Sequence, residues 1–252
     1  MIAIVGTFGM TIGRQVLYTL SIAFFFTISA TMGNADSFDE GVAKTYAPYR
    51  SATSYLRTGN TGLASLDLAE AHDAWKSVQS IATQSPPAAY TNDPKFLSDI
   101  GKIRARLALG LALAESDDGK SALKELKPIR SIIYELRKRN GVRLYADCIT
   151  ELNMSMAGMS KYRHNLPALT DPKERSTVAN AATEYGAIAV DCIGLAPPGH
   201  HQNLEFQRLA KNTKASATAL SEAAKMGDPV RYLNILREIR SLDRIIYFRF
   251  GG

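Results

Sequence analysis

Sulfur and imidazole are scarce in this sequence. Two cysteines, Cys148 and Cys192, and four histidines are spread over 252 residues. No Cys-x-x-Cys spacing occurs, which excludes the paired-thiolate zinc motif in its usual form. No Glu-x-x-His of the carboxylate-bridged iron bundles occurs either. No serine, histidine and acid stand out as a nucleophilic triad, so the reading is non-enzymatic. No segment alternates apolar and polar residues as a half-buried strand does. After residue 35 no stretch stays apolar for the ~18 residues a membrane span needs.

Acidic residues are missing from the first 35 positions, which carry a single basic residue, Arg14. The apolar run 16–28 follows, then Gly33-Asn34-Ala35 ahead of Asp36. A charge, a short apolar run and small residues match a secretory signal peptide over 1–35, cleaved after Ala35. The run is shorter than the ~20 residues of a spanning helix, so the expected location is periplasmic or extracellular, with no transmembrane segment after cleavage. Met10 offers a second start that leaves the signal intact. Beyond residue 35, 29 basic face 24 acidic residues, a net charge of +5. That excess is mild, and nucleic-acid binding needs basic residues interleaved with aromatics on one surface; no nucleic-acid partner is expected.

What is abundant is helical periodicity. Apolar residues recur three and four apart from residue 36 onward, and the pattern predicts helices over 38–58, 62–84, 94–115, 119–140, 142–165, 172–194, 203–225 and 229–248. Asp93-Pro94, Asp171-Pro172 and Asp228-Pro229 each put a capping carboxylate before a proline whose missing N–H costs nothing at a first helical position. Gly59 and Gly141 follow helical runs, where the chain turns left-handed.

A shift of 110 positions lays the second half on the first. Leu126, Ile129, Arg130 and Ser131 meet Leu236, Ile239, Arg240 and Ser241; Asp118 meets Asp228, Pro87 meets Pro197, Phe96 meets Phe206, and Trp75 meets Tyr185. Caps, loop prolines and face residues agreeing together argue for duplication. The expected fold is all-α, two tandem antiparallel four-helix bundles over 36–141 and 142–252, with a single eight-helix solenoid as the alternative. Gly141 runs straight into Val142, so the fourth and fifth helices are expected to be nearly continuous or sharply bent.

An exported up-down four-helix unit of this length resembles the cytochrome c′ and cytochrome b562 class of bundles. The likeness is one of architecture and applies to each half separately. It implies haem, yet the Cys-x-x-Cys-His attachment motif is absent. The b562 pattern of Met in the first helix and His in the last finds Met154, Met156 and Met159 in the second half but no histidine over 229–248. No haem ligand is carried over.

The remaining candidates are few. Cys148 and Cys192 lie at similar heights on consecutive antiparallel helices, suited to a disulfide in an oxidising compartment. Alternatively they join His200, His201, Asp147 and Asp191 as thiolate, imidazole and carboxylate ligands of zinc or copper. Met154, Met156 and Met159, with His164 on the Met156 face, offer soft ligands for copper(I), or gap-filling core residues. Arg130 and Arg240, at one repeat position, are candidates to contact an anion or a partner. Together these point to an exported non-enzymatic bundle that binds a protein partner or small ligand in a metal or electron-transfer setting; the alternative is direct copper, zinc or haem binding by the second half.

Overall fold

The computed structural model describes residues 29–251, and within them the chain is helical throughout, with no strand. The apolar run 16–28 of the expected signal peptide lies outside the described residues. The helices are α1 (Ser29–Thr58), α2 (Thr61–Gln84), α3 (Phe96–Glu115), α4 (Gly119–Leu126), α5 (Ile129–Arg139), α6 (Tyr145–Ser160), α7 (Pro172–Leu195), α8 (Pro198–Gln202), α9 (Leu204–Lys225) and α10 (Pro229–Phe250). Single 3₁₀ turns occupy Ala88–Tyr90 and Lys161–Arg163. No helix among the described residues is long and apolar enough to cross a membrane.

Local chemistry sets these boundaries. Asn60, Asp118, Asp171, Asn203 and Asp228 each accept a backbone N–H of the first turn they precede, satisfying donors the helix cannot. Asp93 accepts from the Lys95 amide, and its other oxygen serves Arg139 and Asn140; the Phe96 N–H bonds the Asp93 carbonyl in a tight turn, and α3 starts at Phe96. Gly141 takes φ +70° while Val142 N–H donates to Arg137 C=O, a left-handed stop that turns the chain before α6. Of the two arrangements expected at Gly141, the sharp bend is the one present.

Three helix expectations need correcting. The run 38–58 starts earlier, at Ser29, so α1 continues through the cleavage point expected after Ala35. The run 119–140 is not one helix: Pro128 lacks the N–H that would bond Lys124 C=O and its ring crowds that turn, so α4 stops at Leu126 and α5 starts at Ile129. The Tyr49 hydroxyl donates to the Leu126 carbonyl near the break. The run 142–165 shrinks to α6 and a 3₁₀ turn. Asp147 accepts the Leu144 amide at its start, which fixes the first turn two to three residues later than the apolar pattern alone suggests.

Apolar faces converge on two clusters. One gathers Phe38, Tyr46, Tyr49, Leu68, Trp75, Ile103 and Leu126 from α1 to α5; the other gathers Cys148, Met156, Met159, Tyr185, Leu220 and Ile239 from α6 to α10. In the first, α1 packs on α2, α2 on α3, α3 on α4 and α5, and α4 returns to α1. In the second, α6 packs on α7, α7 on α9, α9 on α10, and α10 returns to α6. Trp75 is fully buried and its indole N–H donates to Ile100 C=O across 3.0 Å.

The two clusters meet across α5 and α6. Arg137, 2% exposed, reaches Asp39 of α1 at 2.8 Å and Asp147 of α6 at 3.5 Å. Burial opposes the Arg137 charge, but Asp147 and Asp39 outweigh it and hold its pKa above the usual arginine range. Burial wins at Asp147, whose carboxyl is pushed up despite Arg137.

Candidate functional site

Residues three and four apart share a helix face, and four such faces enclose one cleft where the clusters adjoin. Tyr49, Thr53 and Arg57 come from α1, Leu123, Lys127 and Arg130 from the region of the Pro128 break, Thr150, Asn153 and Ala157 from α6, and Asp243 and Tyr247 from α10. The cleft comprises two adjoining recesses of about 440 and 670 Å³ that share Arg57, Arg130, Asn153 and Tyr247.

Arg130 is fixed from three sides. Its Nη1 donates to Asn153 Oδ1 and its Nη2 to Thr150 Oγ1, both at 2.9 Å, and its guanidinium lies 4.1 Å from the Tyr247 ring centroid, a cation over an aromatic face. The Asn153 amide then donates to Asp243 Oδ1 at 2.9 Å. Thr150 is held in turn by its own bond to Ala146 C=O. A polar chain from α5 through α6 to α10 thus spans the junction. Asp243 is 5% exposed, and burial pushes its carboxyl up to about 6, against the pull of Asn153 and Arg130. Burial likewise lowers the pKa of Arg50, which lines the same recess.

No family model matches the chain, and neither does any curated protein or solved structure. The site therefore rests on its own chemistry.

Of the residues singled out in the sequence, Arg130 and Met154 come together, both lining this cleft. Arg240 does not join them: it sits half-buried on α10, its pKa lowered by burial and by Arg244 and Arg163. Cys148 and Cys192 lie at disulfide distance across α6 and α7, Cα atoms 5.3 Å apart. Met156 and Met159 are buried in the second core, whereas Met154 is exposed and His164 sits exposed after the 3₁₀ turn. His200 packs edge-on against Tyr145 and Phe250 and meets the Phe250 carbonyl at 3.3 Å, with burial lowering its pKa; His201 stacks edge-on to Phe206. Among the described residues no group of three or more His, Cys, Asp or Glu is placed to hold a metal ion. The side chains considered for copper, zinc or haem are thus spread between core, surface and an aromatic cluster, and no chemistry is derived through those groups.

Sequence reasoning missed Arg50, Arg57, Asn153, Asp243 and Tyr247. Their counterparts 110 positions away, Ser160, Pro167, Ala43, Ile133 and Arg137, differ in every case, and no spacing along the chain singles these five out.

Proposed function

We propose that this chain is an exported, non-enzymatic binding protein of two repeated four-helix units, 36–141 and 142–252, that holds a small ligand in the cleft between them. The observation that carries the reading is the polar chain Arg130–Asn153–Asp243, which lines an open cleft and joins both units. Ligand sites are concave, sit preferentially at junctions between packed units, and set a few converging polar groups among apolar walls. Leu123, Met154, Tyr247 and Phe248 supply those walls.

The duplication is supported by the equivalent placement of shared positions. Trp75 and Tyr185, Phe96 and Phe206, Leu126 and Leu236, and Ile129 and Ile239 are all buried, while Asp118 and Asp228 both cap the helix that follows. Export to a periplasmic or extracellular compartment is supported by the composition of residues 1–35 and by a cysteine pair at disulfide distance.

A thermal-unfolding screen of the mature protein against charged and neutral small molecules tests the binding reading. At least one compound should raise the midpoint, and the gain should vanish in Arg130→Gln. If no compound stabilises the wild type, or every gain survives the substitution, the reading fails.

A further inference from the structure

Positive charge outnumbers negative in the cleft, where Arg50, Arg57, Lys127, Arg130 and Arg244 face Asp243 alone. Some arginines outside it pair with carboxylates, Arg106 with Glu125, Arg139 with Asp93 and Asp99, Arg143 with Glu151 and Asp191, and Arg249 with Glu205, while others, Arg104 and Arg237 among them, bond amide oxygens instead. Among the described residues, Arg57, Lys127, Arg130 and Arg244 have no carboxylate within 4.0 Å, although all four line the cleft. Asp243 is the one acidic side chain among the residues lining these two recesses. A folded chain that pairs its other junction arginine, Arg137, with two carboxylates has left this set open.

The division of the cleft adds shape to the charge. Arg130 and Tyr247 stand between the recesses and contribute to both. On one side lie Lys127 and the hydroxyl of Ser131; on the other lie Arg244 and the hydroxyls of Ser54 and Thr58; Arg57 reaches both. Arg130 has both Nη atoms bonded, to Asn153 and Thr150, and its Nε–H is buried without a partner, so its part is to supply charge, while Arg57 and Arg244 supply free guanidinium forks. Guanidinium forks match the planar oxygens of carboxylate and phosphate, and hydroxyls satisfy the oxygens left over. Because Arg130 is already held in place, little side-chain entropy is lost when an oxyanion arrives.

We infer that the cleft takes a small oxyanion of at least two negative charges, phosphate or carboxylate, with one charged group on each side of the Arg130–Tyr247 pair. The inference rests on the binding reading above and names its ligand class. A ligand of this kind neutralises charge that the protein itself leaves exposed, and its affinity falls with added salt.

Calorimetric titration of the mature protein with inorganic pyrophosphate and with citrate tests it, against acetate and sucrose as singly charged and neutral probes. One or both multiply charged probes should bind at least tenfold more tightly than acetate, and sucrose should not bind. Lys127→Gln and Arg244→Gln, both at exposed positions on opposite sides of the cleft, should each weaken that binding about tenfold, with circular dichroism unchanged. If only one of the two substitutions weakens it, the two-sided placement is overturned. If neither pyrophosphate nor citrate binds while a neutral compound is stabilising and sensitive to Arg130→Gln, the ligand class is wrong and the binding reading stands. If nothing sensitive to Arg130→Gln binds, both fall.

Discussion

The two cores, one from α1 to α5 and one from α6 to α10, are filled with different material. Where α1 places Phe38, Tyr46 and Tyr49 in the first core, α6 places Cys148, Met156 and Met159 at positions 110 later. Cys192 likewise falls where the first half has Ala82, also buried. The first half clusters its rings, with Tyr90 stacked on Phe96 at 5.0 Å and Phe38 tilted against both. The second sets sulfur where the first has Phe38, Tyr46 and Tyr49, carries rings elsewhere, at Tyr145, Tyr162, Tyr232 and Phe250, and adds a covalent tie between adjacent helices. The difference shows that the buried sulfur of Cys148, Met156 and Met159 is core material, while Met154 stays exposed, and that rings can change position in a core whose volume stays filled.

The largest test of that comparison is Trp75→Ala. It removes a fully buried indole together with its hydrogen bond to the Ile100 carbonyl, a loss of about 5 kcal/mol. Calorimetry should show a transition of the first half moving down alone; if one transition carries the whole chain downward, the two cores are a single cooperative unit. Reduction of the Cys148–Cys192 pair comes next. Closing a loop of 44 residues contributes about 4 kcal/mol on the chain-entropy model, so reductant should loosen the second half. The only tryptophan, Trp75, lies in the first half, so its fluorescence transition should stay while far-ultraviolet dichroism records an earlier loss of helix.

Arg137→Met probes what binds the halves to each other. It leaves Asp39 and Asp147 facing one another without their shared cation, at a cost of about 3 kcal/mol. Adding Asp147→Asn to it should recover much of that loss in urea denaturation. The smallest effect belongs to Asp243→Asn. The native carboxyl titrates near 6, above its value in an unfolded chain, so the native state holds its proton more tightly and stability declines as pH rises from about 4 to about 6. Arg130 faces this group from α5, Arg244 from α10 and Tyr185 from α7. The substitution should flatten that decline and raise stability at pH 7.5 by roughly 2 kcal/mol; an unchanged pH profile between 4 and 7 contradicts the assignment.

The helices were legible in the sequence because periodicity, aspartate caps and Gly59 and Gly141 act within a few residues of each other. Pro128 was equally visible, but its effect depends on whether tertiary contacts can sustain a helix through it, and here α4 and α5 separate. The disulfide partners were readable from the helix order. The cleft was not, since it arises from the approach of α1 and α5 to α6 and α10, and no spacing along one helix announces a neighbour from the other half. Arg130 drew notice only because Arg240 repeats it; the structure gives the two arginines different surroundings.

The amide of Asn153 has unlike ends, oxygen toward Arg130 and nitrogen toward Asp243. Turned around, it would set oxygen against carboxylate and N–H against guanidinium. The seam between the halves therefore reads in one direction only. A slip of α5 along α6 by one turn, about 5.4 Å, would break the Arg130 bond and leave the Asn153–Asp243 bond within the second half in place. Asn153 acts as a register pin beside the Arg137 bridge: two helical bodies whose apolar faces alone would tolerate sliding are held at one setting by a few directed bonds.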